Sequence, residues 1–161
     1  MTEESATSRI VVGVDGSETG TAALVWAAEQ ASAQGADLEA VMVWVHDAML
    51  DDASAGRTMA EARQVHLHDL ETRVTAALKG RAEVSFECLA PDGDASDVLV
   101  DLSRDATMLV VGSHGTGRLR DILVGSVSGA CLRHASCPVV VIPPAARKPE
   151  TRLGRLVAEI G

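Results

Sequence analysis

Residues 112–126, Gly-Ser-His-Gly-Thr-Gly-Arg-Leu-Arg-Asp-Ile-Leu-Val-Gly-Ser, carry the chain's clearest chemical pattern. Gly112, Gly115 and Gly125, the last followed by Ser126, are spaced as G-x2-G-x9-G-S. An apolar run, Met108 to Val111, precedes them and reads as a short buried strand, while Ser126 to Arg133 reads as the start of a helix. A glycine-rich loop between a strand and a helix N-terminus can hold phosphate oxygens on backbone N–H groups, helped by the helix dipole. Gly112 and Gly115 put no Cβ between backbone and ligand. Gly125, Ser126 and Val127 can add N–H donors and a hydroxyl. The same glycines could also serve turns alone.

Other reactive side chains form no comparable pattern. His114 lies inside the loop and has the chemistry of a general acid or base. No nucleophile–His or carboxylate–His pair is legible at a useful spacing, so a positional role is expected of it. His66 and His68 are two apart, which on a helix turns them to different faces, and no ligand set surrounds them to make a metal site. Arg118 and Arg120 are expected in water, like Asp51 and Asp52. Cys88, Cys131 and Cys137 read as small buried hydrophobes in a reduced compartment.

The loop needs a scaffold, and strand–helix alternation supplies one. Residues 10–14 (Ile-Val-Val-Gly-Val) form an apolar strand, which Asp15-Gly16-Ser17 turns into an Ala-rich helix over 18–34, with Ser17 as N-cap and Gly35 as its end. A second strand is expected over 38–45, a mobile loop over 47–57, and a helix over 58–79 with Val65, Leu67, Leu70, Val74 and Leu78 inward. A strand over 84–90, a helix over 95–104, the strand 108–111, a helix over 126–135 and a last strand 138–142 follow. Nearly continuous apolar strands mean a parallel sheet covered on both faces. The fold class is therefore α/β, a single five-stranded parallel sheet flanked by about four helices. Ligands of such sheets sit beyond the carboxyl ends of the strands, where strand order reverses. Asp15–Ser17 and Gly112–Ser126 both leave strands at that end, and they meet if the first and fourth strands are adjacent.

Composition excludes several function classes. At 161 residues the chain is one domain. Aromatic content of 2% and a net charge of −9 argue against a nucleic-acid partner. No apolar run is long enough to span a membrane, and residues 1–9 lack the basic and apolar regions of a signal peptide, so a cytoplasmic protein is expected.

The glycine loop, its continuation to Cys137-Pro138-Val-Val-Val-Ile142, and Val11-Val12-Gly13-Val14-Asp15-Gly16-Ser17 together resemble the universal stress protein family. The resemblance implies a domain over 9–143, a disordered N-terminus over 1–8 and a C-terminal tail over 144–161, either a short helix or a frayed, solvated end. It implies a five-stranded sheet of the adenine nucleotide alpha hydrolase-like kind and a homodimer through strand 138–142. Gly112, Gly115, Gly125 and Ser126 match every fixed position of the family's nucleotide-binding motif. The resemblance thus implies ATP, with or without Mg2+, held on that loop with Val127 at the helix start. It assigns Asp15 to the ribose hydroxyls, for which a carboxylate is a good acceptor; by itself Asp15-Gly16 is a turn former. It assigns Val43 to the adenine, whereas the residue alone reads as core. Met42, standing where a His is frequent, and Trp44 depart from the pattern near the adenine.

The expected function is regulatory nucleotide binding without strong catalysis, since no Walker lysine motif is present. The alternative is a slow ATP-hydrolysing enzyme of the same fold. Cleavage between the α and β phosphates would call for a Ser-Gly-Gly-x-Asp-Ser-like loop where this chain has Asp15-Gly16-Ser17-Glu18-Thr19. A phospho-accepting receiver domain would need a Lys at the end of the last strand, where Pro143-Pro144 stands.

Overall fold

The computed structural model describes residues 7–114 and 124–160. Strands β1 (Arg9–Gly13), β2 (Asp37–Val41), β3 (Phe86–Leu89), β4 (Met108–Gly112) and β5 (Val139–Ile142) form one parallel sheet, ordered β3-β2-β1-β4-β5. Helices α1 (Glu18–Gln34), α2 (Met59–Ala77), α3 (Ala95–Leu102), α4 (Ser126–His134) and α5 (Arg152–Ile160) complete it, so five helices, rather than about four, are found among the described residues.

The apolar strands bury both faces because side chains alternate across a strand. Ile10 and Val12 of β1 enter one core with Val110 of β4, built against α1, α2 and α5; Val11, Leu109 and Val111 enter a second core with Leu99 of α3 and Cys131 of α4. Chain order runs outward from β1 to β2 and β3, then jumps back to β4 on the other side of β1. Ile10, Val11 and Val12 pair with Met108, Leu109 and Val110, so the first and fourth strands are neighbours. The order therefore reverses between β1 and β4, and a crevice opens there beyond their carboxyl ends.

Several local expectations need correction. β2 ends at Val41 rather than near 45, because Trp44 pairs outside the ladder: its N–H donates to Pro91 O (3.2 Å) and its carbonyl accepts from Gly93 N (3.0 Å). In α2, Leu70, Val74 and the C-cap Leu78 are buried as expected, but Val65 is exposed, and Ala62 and Ala77 join the buried face. The segment 47–57, expected as a mobile loop, holds a 3₁₀ turn at Asp52–Ser54. Asp51, expected in water, accepts from the Ala53 N–H and the Ser54 hydroxyl and lies 2.9 Å from His66 Nε2. The His66 ring in turn stacks on Trp44 at 4.9 Å. This is a carboxylate–His pair that the spacing did not reveal. Nor is the tail a frayed end. After a 3₁₀ turn at Pro144–Arg147, α5 lays Leu153, Leu156, Val157 and Ile160 on the α1 core, with ion pairs Arg147–Glu18 (2.7 Å) and Arg152–Glu29 at its flanks.

Candidate functional site

The turn after β1 is built around one carboxylate oxygen. Gly16 adopts φ +80, a conformation that glycine reaches without a Cβ penalty. Asp15 Oδ1 then accepts from the Ser17 N–H (2.9 Å) and the Ser17 hydroxyl (2.5 Å), and Ser17 Oγ accepts from the Gly20 N–H (3.0 Å) as the N-cap of α1. Asp15 is thus a turn former through Oδ1, while the residue itself is exposed at the crevice. The turn-forming and ligand-facing readings of this residue are compatible.

At the end of β4 the packing is tighter than a ligand-approach argument requires. A Cβ on Gly112 would stand 2.7 Å from Thr19 Oγ1 and 2.9 Å from the Gly20 nitrogen, so the missing side chain lets the first turn of α1 sit directly against β4. The glycine loop is closed at its base. Ser113 O accepts from the Gly125 N–H (2.6 Å) and the Ser128 hydroxyl (3.1 Å), and His114 O accepts from the Thr19 hydroxyl (2.6 Å). His114 Nδ1 lies 2.9 Å from Ser113 Oγ, and this adjacent Ser–His contact was also not expected. Gly115, Arg118 and Arg120 lie outside the described residues.

The start of α4 differs from its neighbours. Ser17 caps α1, Thr58 and Glu61 form a capping box on α2, and Asp94 accepts from the Ser96 and Asp97 N–H groups of α3. At α4 the N-cap is Gly125, and no side chain among the described residues caps it. Its first-turn N–H groups, with the positive end of the dipole, are the kind of donors that an anion can satisfy.

One crevice joins these parts. Gly13, Asp15, Val41, Val43, Leu99 and Val111 line it toward the sheet, and Gly112, His114, Gly125, Ser126 and Val127 line it toward the loop. Its cavity volume is about 130 Å³, smaller than the few hundred Å³ of a typical small-molecule cleft. An apolar floor, one carboxylate and a rim of N–H donors would suit a flat base, a hydroxylated sugar and an anion in that order. Six of the seven sequence-predicted residues, Asp15, Val43, Gly112, Gly125, Ser126 and Val127, come together here; Gly115 lies outside the described residues. Met42 and Trp44, suspected of altering the base end, point elsewhere: Met42 packs into the α1 core, and Trp44 donates from Nε1 to Ala90 O (2.9 Å). Sequence reasoning missed Thr19 and Ser128, whose hydroxyls at helix starts look like ordinary capping groups.

The thiols are quiet. Burial, first of all, pushes Cys88 and Cys131 up to about 11, far from a reactive thiolate at neutral pH. Among the described residues no cluster of His, Cys, Asp or Glu is placed to hold a metal ion, and no helix is long and apolar enough to cross a membrane.

Known proteins share this fold. The model of the universal stress protein family matches residues 7–143. Universal stress protein Rv2624c of Mycobacterium tuberculosis is 31% identical over 157 residues, covering 98% of this chain and 56% of its own length. The chain thus spans about half the length of the curated relatives it matches. Among solved structures, a universal stress protein in complex with cAMP superimposes with a TM-score of 0.62 at 26% identity, covering 86% of this chain and 98% of its own. The universal stress protein from Archaeoglobus fulgidus in complex with dAMP gives 0.61 at 25% identity, covering 84% and 97%. With its five-stranded parallel sheet and a family match over most of its length, this chain belongs to the universal stress protein family.

Proposed function

We propose that the chain is a regulatory protein that binds ATP in the crevice between β1 and β4. The observation that carries this reading is the convergence of Asp15, Val43 and the Gly112 and Gly125–Val127 groups, distant in sequence, on one cleft at the reversal of strand order. Val43 and the apolar floor take the adenine, and Asp15 takes the ribose hydroxyls. The α4 N-terminus and the glycine loop, Gly115 included, take the phosphates. The ligands of the two solved relatives, cAMP and dAMP, share an adenine, a sugar and a phosphate with ATP, which supports the chemical class. Any Mg2+ would arrive with the polyphosphate, adding charge neutralisation that this acidic chain does not supply.

Nucleotide occupancy shifts the chain between conformations or partners in this reading, and hydrolysis is slow or absent. Two copies pair through β5, the terminal strand of the sheet, because a short apolar edge leaves backbone hydrogen bonds to fill.

The test is the nucleotide content of the purified protein. The sample is denatured and the released molecules are separated and quantified, with Gly115→Val and Asp15→Ala alongside. Near-stoichiometric ATP in the wild type, lost in both variants, is the expected result. No nucleotide, and none taken up at millimolar ATP, overturns the assignment. ADP or AMP accumulating with time favours the enzyme instead.

A further inference from the structure

The proposed phosphate loop begins at two successive carbonyls, and each is held by a hydroxyl from a different helix. Ser113 O accepts from Ser128 Oγ of α4 at 3.1 Å, and His114 O accepts from Thr19 Oγ1 of α1 at 2.6 Å. Both hydroxyl residues are buried, Ser128 at 2% exposure and Thr19 at 6%.

The Thr19 contact is not the default for a helical threonine. Such a hydroxyl commonly bonds back to a carbonyl of its own helix, as Thr21 does to Ser17 O at 3.1 Å. Thr19 instead reaches a carbonyl 95 residues away. The reach is made possible by Gly112, where any Cβ would collide with Thr19 and the Gly20 nitrogen. The same helix turn carries the Asp15–Ser17 network, with Ser17 Oγ 3.5 Å from Thr19 Oγ1. A short polar chain thus links the carboxylate at one end of the crevice to the carbonyl from which the glycine loop departs.

We infer that Thr19 and Ser128 are positioning residues for nucleotide binding. They fix Ser113 and His114, where the glycine loop begins, between the first turns of α1 and α4, whose donors line the same crevice. The inference rests on the ATP reading above and adds to it: Thr19 lies off the crevice and acts through His114, while Ser128 lines the crevice and also holds Ser113. Because they act on the loop, their effect falls on the phosphates and spares the adenosine half. A pre-ordered loop loses less freedom on binding than an unanchored one.

The experiment compares ATP and adenosine affinity, by calorimetry on nucleotide-free protein, for the wild type, Thr19→Val, Thr19→Ser and Ser128→Ala. Thr19→Val keeps the shape and removes the hydroxyl that donates to His114 O at 2.6 Å. It is expected to weaken ATP about tenfold. Adenosine affinity should stay within about twofold, a span below the net worth of one typical hydrogen bond. Ser128→Ala should behave likewise, and Thr19→Ser should restore ATP binding. Equal losses for ATP and adenosine would reduce both residues to packing and overturn the inference, as would unchanged ATP affinity in Thr19→Val. A wild type that binds neither ligand defeats the ATP reading itself, an outcome distinct from either.

Discussion

Asp15 shows how one side chain can serve fold and ligand together. Its Oδ1 organises Ser17 and hence the α1 cap. Asp15→Asn retains an acceptor there and is expected to stay within about 0.5 kcal/mol of wild-type stability, the usual range for a surface change. Asp15→Ala removes the acceptor and should cost about 1 kcal/mol, the worth of a helix cap, as read by urea denaturation. Gly112→Ala is the harsher change. Its Cβ would meet backbone atoms of Thr19 and Gly20, and overpacking of that kind costs about 1–3 kcal/mol. Glycines 112 and 125 drew notice because the spacing of the motif is long and ordered, yet the sequence suggested ligand approach at Gly112, where helix approach is the structural demand. Thr19 and Ser128 were not legible at all. A hydroxyl near a helix start looks the same whether it caps its own helix or holds a distant carbonyl, and only tertiary adjacency separates the two.

At the scale of elements, strand and helix order was readable from apolar runs and turn residues, while the joins were not. The segment before α2 is the clearest case. Asp51 and His66 are fifteen residues apart, one in a loop whose path no periodicity encodes, and they meet over the Trp44 ring. Burial works to raise the Asp51 carboxyl, but hydrogen bonds from His66, Ser54 and Ala53, with the His66 charge, outweigh it and hold the carboxyl below its ordinary value. A depressed carboxylate favours the folded loop above its unfolded pKa, and that contribution is lost as pH falls through the lowered folded value. Protection of the Ala53 and Ser54 amides from hydrogen exchange, relative to their intrinsic rates, should therefore fall below about pH 4. His66→Phe, which keeps the stack and loses the pair, should lower it already at pH 7. Unchanged exchange in that variant would show that the stack alone secures the loop.

For the whole molecule, the tail adds apolar cover to α1. The apolar stripe of residues 153–160 was legible, but nothing in the sequence said which surface it would meet; the structure gives it α1. Removing residues 150–161 uncovers that face and should lower the melting temperature by several degrees, since each kcal/mol is worth roughly 2–4 °C in a domain of this size. Arg152→Ala would take the partner from the largely buried Glu29 carboxylate and should cost more than the ~1 kcal/mol of a fully exposed pair. A truncation with an unchanged melting temperature would mean that α5 rests on α1 without supporting it.

The central claim is that ATP lies across the crevice from Val43 to the start of α4, and amide chemical shifts report its place directly. Nucleotide-free protein labelled with nitrogen-15 would be titrated with ATP and then with adenosine. The account predicts large shifts at Asp15, Val43, Gly112 and Gly125–Val127 with ATP, and with adenosine only the Asp15 and Val43 subset. Shifts gathered on another face, or an adenosine response equal to that of ATP at Gly125–Val127, would contradict it.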